Sequence, residues 1–139
     1  MNYPAKLDEL VRLYTLSTIE DERGTLGVLD VAAMCGFAAE RFYFLYDVKQ
    51  QRGGHAHRRL RQCFVALAGR VEIEVDSGRE QKTYVLDSPK VALGINPMIW
   101  RNLIMSPDAI VGVLASERYD EAEYIRDYQT FKALALENE

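Results

Sequence analysis

Residues 70–76 read RVEIEVD, and their strict alternation decides the fold: Val71, Ile73 and Val75 fall on one face of an extended chain, Glu72 and Glu74 on the other. Asp76-Ser77-Gly78 follows with turn chemistry, and residues 81–87 (QKTYVLD) return as the second arm of a hairpin. Outward from this hairpin the same pattern recurs. Residues 63–68 (CFVALA) form an apolar run of strand length, and residues 41–48 (RFYFLYDV) are aromatic and β-branched. Residues 91–95 and 110–116 (IVGVLAS) are two further short apolar strands, with Asn96-Pro97 as punctuation between them. Many short strands broken by glycine and proline predict an all-β sandwich or barrel, not an alternating α/β fold. Near the C-terminus, residues 119–136 set Tyr124, Ile125, Tyr128, Phe131 and Leu134 at near-helical spacing, with Asp120, Glu121 and Glu123 early. That predicts a helix closing against the outside of the barrel. Residues 7–16 fit the helical and the strand period equally poorly.

A chain of 139 residues has room for one domain with a core and not for two, so residues 1–139 are expected to form a single domain. The net charge of -4 argues against a nucleic-acid binder. Residues 1–16 lack the basic start and apolar run of a secretory signal, and no stretch is long enough to span a membrane. Cys35 and Cys63 are the two cysteines, and without a Cys-x-x-Cys pair they suggest free thiols in a cytoplasmic protein.

The two histidines of the chain both lie in Arg52-Gly53-Gly54-His55-Ala56-His57. On a strand, His55 and His57 share a face and Ala56 points away. Imidazole titrates near neutral pH, which suits proton transfer. The pair alone fits three roles: a solvated edge feature beside Arg58, Arg59 and Arg61, the start of a metal site, or a catalytic pair. The metal role needs a carboxylate soon after and a third histidine later. The chain offers neutral Gln62 in the first place and Trp100-Arg101 in the second, a poor cage for a dication. A histidine cavity with arginines and aromatics remains. Arg41 and Tyr43 share a strand face, arginine suits phosphate, and Trp100 or Tyr43 can cover a base or sugar, although each taken singly also fits a packing or surface role.

The order of motifs across residues 20–131 resembles the sugar 3,4-ketoisomerase family, cupins that act on dTDP-4-keto-6-deoxyhexoses. The matching stretches include Asp21-Glu22-Arg23-Gly24-Thr25-Leu26, Arg41-Phe42-Tyr43-Phe44, Arg52-Gly53-Gly54-His55-Ala56-His57, Pro97-Met98-Ile99-Trp100 and Tyr124-Ile125-Arg126-Asp127-Tyr128. The resemblance implies a cupin jelly-roll β-barrel with a C-terminal helix, no cofactor and no metal, and a dTDP-linked 4-keto-6-deoxy sugar as substrate in deoxyamino-sugar biosynthesis. It also implies a homodimer with exchanged N-terminal strands. His55 and His57 are then expected at the sugar ring with Tyr43, and Arg41, Arg52, Trp100 and Arg101 around the substrate, while Arg23 serves the neighbouring subunit. Arg101 follows one kind of member and Arg23 the other, so the configuration at C4 stays open. A 3- or 5-epimerase, or a sugar-nucleotide-binding cupin without activity, are the alternatives; the second histidine favours the isomerase.

Overall fold

In a computed structural model that describes residues 5–137, the chain opens with a single helical turn, α1 (Leu7–Leu10), which runs directly into β1 (Val11–Thr15). The ambiguity of residues 7–16 is thus resolved as one element of each kind. The first four and last two residues of the expected single domain lie outside the described residues. There follow β2 (Ser17–Asp21), β3 (Gly24–Val28), α2 (Val31–Cys35), β4 (Arg41–Leu45), β5 (Arg52–His57), β6 (Gln62–Ala68) and β7 (Val71–Asp76). The chain continues through β8 (Gln81–Leu86), β9 (Val91–Ile95), β10 (Trp100–Met105) and β11 (Ile110–Ala115). It ends with a 3-10 turn (Glu121–Glu123), β12 (Tyr124–Ile125) and α3 (Tyr128–Leu136).

The strands form two five-stranded antiparallel sheets, ordered β1-β9-β6-β11-β4 and β12-β5-β10-β7-β8, and β2 and β3 make a separate hairpin. The alternation of residues 70–76 is realised as expected. Val71, Ile73 and Val75 are buried and meet Leu103 and Met105 of the same sheet and Phe64, Leu93, Val111 and Val113 of the other. The core therefore sits between the two sheets, the arrangement of a jelly-roll barrel. The β7–β8 hairpin has the register Val71↔Leu86 to Asp76↔Gln81.

Two features depart from the sequence reading. The central strand of the second sheet, β10, falls where the sequence shows only punctuation, because its inward positions are Arg101, Leu103 and Met105. A buried arginine breaks the apolar alternation by which a strand is recognised. The expected helix over 119–136 is confined to α3. Tyr124 and Ile125 instead pair with His57 and Ala56 as an edge strand. The Glu123 carboxylate ties this segment down by accepting from the backbone N–H groups of Arg59 and Leu60. Asp127 then caps α3, accepting from Thr130 N at 2.9 Å. The helix does close against the outside of the barrel: Phe131 is fully buried beside Ala56 and Ile125, and Trp100 packs on the same cluster.

Candidate active site

The site is built at one end of the barrel by inward residues of β4, β5, β6, β10 and β12. Its shape starts from a bulge. The register between β10 and β5 passes from Arg101↔His55 to Asn102↔Gly53, so Gly54 is the extra residue. Gly53 has φ 104° and lies so close to β10 that a Cβ there would sit 2.6 Å from the Arg101 carbonyl oxygen. Glycine alone allows this approach. The bulge leaves His55 facing inward beside Arg101, two residues before His57.

The two imidazoles meet edge to face with centroids 4.9 Å apart, and the Tyr124 ring lies 5.0 Å from His55 and 4.5 Å from His57. His57 is completely buried, and among the described residues neither of its ring nitrogens has a hydrogen-bond partner. Arg101 is 1% exposed. Its guanidinium donates to the Ile99 carbonyl, at 2.9 Å from Nη2, and to Gln62 Oε1. Gln62 in turn donates from Nε2 to the Tyr43 hydroxyl oxygen at 2.8 Å. Arg41 stacks its guanidinium 5.1 Å from the Tyr43 ring, and its buried Nε is unpartnered.

In front of these groups lies an open cavity of about 390 Å³, lined by Arg41, Tyr43, Arg52, Gly53, His55, Leu103, Tyr124 and Arg126. Its size suits a sugar ring with room at the mouth. Arg126 stacks 4.3 Å from the Tyr124 ring and is held by Glu121, which also accepts from the Tyr119 hydroxyl at 2.6 Å.

The electrostatics follow from burial and from the excess of guanidinium groups. Burial first, then the charge of Arg101, pushes His55 down to about 4. The same causes, with His55 itself added, push His57 down to about 2. Burial also lowers Arg101, to about 10, and raises Tyr43. At neutral pH the resting site holds two neutral imidazoles, a protonated phenol and a cationic rim. Such a site disfavours further positive charge and favours negative charge. Among the described residues no group of three or more His, Cys, Asp or Glu side chains is gathered in a way that could hold a metal ion.

Of the residues singled out in the sequence, His55, His57, Tyr43, Arg41, Arg52 and Arg101 are brought together. Two are not. Trp100 leaves β10 on the face opposite Arg101 and packs against Tyr128 and Phe131, with ring centroids 5.3 and 5.8 Å away, so it does not line the histidine cavity. Neighbouring residues of a strand point to opposite sides, and the burial of Arg101 fixes which side each takes. Arg23 stands 87% exposed at the tip of the β2–β3 hairpin, paired with Asp21 at 2.7 Å. Tyr124, Arg126, Glu121 and Gln62 are members of the site that sequence reasoning misses. The signal for the first two is the Tyr-Ile-Arg-x-Tyr stretch, which a helical assignment turns away from the cavity.

A jelly-roll barrel of the cupin type, with a neutral imidazole pair and arginines inside one end, defines the class of protein. Within that class the chain belongs to the FdtA family (WxcM-like, C-terminal), whose family model matches residues 9–136. It is 36% identical over 124 residues to the TDP-4-oxo-6-deoxy-α-D-glucose-3,4-oxoisomerase of Aneurinibacillus thermoaerophilus, covering 87% of this chain and 89% of that one. Two solved structures are similar throughout. A 3,4-ketoisomerase from Helicobacter canadensis is 35% identical with a TM-score of 0.86, covering 91% of this chain and 97% of its own. The sugar 3,4-ketoisomerase QdtA from Thermoanaerobacterium thermosaccharolyticum, in complex with TDP, is 32% identical with a TM-score of 0.88, covering 93% and 96%.

Proposed function

We propose that this protein is a cofactor-independent 3,4-ketoisomerase that moves the ketone of a dTDP-4-keto-6-deoxyhexose from C4 to C3. The observation that carries the reading is His57, buried with two unpartnered ring nitrogens and set 4.9 Å from a second imidazole. Leaving such a group unsatisfied is unfavourable unless a ligand completes it.

In this mechanism the His55–His57 pair takes the proton from C3, and the electron pair left behind forms the C3–C4 double bond of an enediol. The O4 oxygen receives a proton from Tyr43. Collapse then returns the first proton from the imidazole to C4, while the proton of O3 goes back to Tyr43 as the C3 carbonyl forms. No electron carrier is consumed, and both protons end on the product. Arg101 and Arg41 stabilise the oxyanion character on O3 and O4. Arg52, at the mouth, suits the diphosphate. Burial is the first cause of the depressed imidazoles; the part that comes from the guanidinium groups is offset when the anionic nucleotide binds, which raises their basicity as the substrate arrives.

The proposal includes a cytoplasmic homodimer in which N-terminal strands are exchanged, bringing Arg23 to the neighbour's site. Its support is the apolar outer face of β4, where Phe42 and Phe44 stand more than half exposed, and a β2–β3 hairpin that projects Ile19 and Leu26 outward. Among the described residues no helix is long and apolar enough to cross a membrane.

The test is incubation with dTDP-4-keto-6-deoxyglucose in deuterated water, followed by NMR of the hexose. A ketone at C3 is expected, with C4 carrying the proton returned by the imidazole, or deuterium to the extent that the imidazolium exchanges with solvent first. Retention of the C4 ketone, with exchange at C3 or C5 and inversion there, would identify an epimerase instead, and a hexose left unchanged and unexchanged would leave a binding protein.

A further inference from the structure

Gln62 occupies a position that chemistry makes directional. It is 2% exposed, on the inward face of β6, between a guanidinium and a phenol. A guanidinium offers donors only, so Arg101 must face the amide oxygen, and the amide NH2 is left to point at Tyr43. The Tyr43 oxygen therefore accepts, at 2.8 Å. With that side of the hydroxyl taken by a donor, its own proton is turned away from Gln62. A carboxylate in the same place would reverse this, accepting the Tyr43 proton and pairing with Arg101. Among the described residues Arg101 has no carboxylate partner. Its side-chain hydrogen bonds go to Gln62 and to the Ile99 carbonyl.

We infer that Gln62 is a positioning residue of the site: it directs the Tyr43 hydroxyl proton into the cavity and keeps the buried Arg101 charge unneutralised there. The inference rests on the isomerase reading for its kinetic consequence but not for its electrostatic one. Facing the imidazoles are Arg101 from β10, Arg41 and Tyr43 from β4 and Tyr124 from β12, with Arg126 and Glu121 beyond. Among these Arg101 is the fully buried cation, so neutralising it removes the charge that, after burial, does most to keep His55 unprotonated.

Gln62→Glu preserves volume and tests both halves. The expected result is a folded protein whose kcat is lower by about 10²-fold with KM little changed, the size of effect usual when one oriented donor is lost. The His55 resonance should titrate at higher pH than in the wild type, moving toward the ordinary imidazole value. Gln62→Met made in the wild type and in Tyr43→Phe gives the second readout. If Gln62 acts through Tyr43, the substitution should cost far less in the Tyr43→Phe background. Wild-type kcat in Gln62→Glu, an unmoved His55 titration, or a full additive loss in the double variant would overturn the inference. If the wild type itself fails to move the ketone, the functional reading falls, while the His55 titration still decides the role of Gln62.

Discussion

The His55 and His57 rings stand edge to face with centroids 4.9 Å apart, both beside a fully buried Arg101. They cannot titrate independently, and each is held neutral partly by the same guanidinium. In the proposed mechanism the two neutral imidazoles act together in taking up and returning the proton. His55→Asn and His57→Asn should each lower turnover by about 10²- to 10⁴-fold, the range for a lost general base, with the circular dichroism spectrum unchanged. Near-normal proton exchange at C3 in both variants would remove the pair from the mechanism.

Acid should destabilise this fold through the same pair. An imidazole in the unfolded chain has a pKa of about 6.5. In the folded protein His55 lies at about 4 and His57 at about 2. Between those values the unfolded chain binds protons that the folded chain refuses. The stabilisation is therefore complete above about pH 6.5 and is lost as pH falls toward 4. With two such groups the slope approaches about 3 kcal/mol per pH unit at its steepest. Urea unfolding followed from pH 7 to pH 5 checks this, and His57→Asn should roughly halve the dependence. For the free enzyme, the acid limb of kcat/KM should lie below the ordinary imidazole value.

The bulge at Gly53 makes a sharper structural test. Gly53→Ala places a Cβ 2.6 Å from both the Arg101 oxygen and the Asn102 Cα, at φ 104°. Neither atom is the end of a flexible side chain, so β5 and β10 must separate or slip. The expected loss is about 2–4 kcal/mol by chemical unfolding. Activity should fall further than stability, because His55 takes its inward place from this register. Gly24→Ala, in the exposed hairpin with nothing within 4 Å of the added Cβ, serves as the comparison: it carries the strain of a positive φ without the collision.

How much of this was legible in the sequence follows from which residues obey the period of their element. Residues 70–76 declare a strand because Val71, Ile73 and Val75 are all buried and the intervening glutamates are not. His55 and His57 declare a shared face for the same reason. The strand β10 stayed hidden because Arg101 is an inward residue and looks outward on any hydropathy scale. It can be inward because Gln62 and the Ile99 carbonyl accept its hydrogen bonds, and Gln62 is not local in sequence. Tyr124 was misplaced for the converse reason. Its spacing to Ile125 and Tyr128 fits a helix, but the free edge of β5 takes Tyr124 and Ile125 into the sheet. Tertiary pairing overrode local periodicity, and the site residue it carries became visible only with the pairing.

The exposed arm bearing Arg23 yields the prediction that bears most directly on assembly. The hairpin β2–β3 belongs to neither five-stranded sheet, and Arg23 at its tip pairs locally with Asp21. If exchange carries the arm to a neighbour, each site combines His57 of one chain with Arg23 of the other. Arg23→Ala and His57→Asn homodimers should then both be poor enzymes. Unfolded together and refolded as a mixture, about half of the dimers should be mixed, by random pairing within a two-fold assembly. One of the two sites in each mixed dimer unites an intact barrel with an intact arm, and the other carries both lesions. Activity should return to about a quarter of the wild-type value. Were Arg23 to serve its own chain, every site in the mixture would keep one lesion and no activity would return. Phe44→Asp, placed on the exposed outer face of β4, should in turn shift the protein toward monomer in light scattering and abolish the recovery.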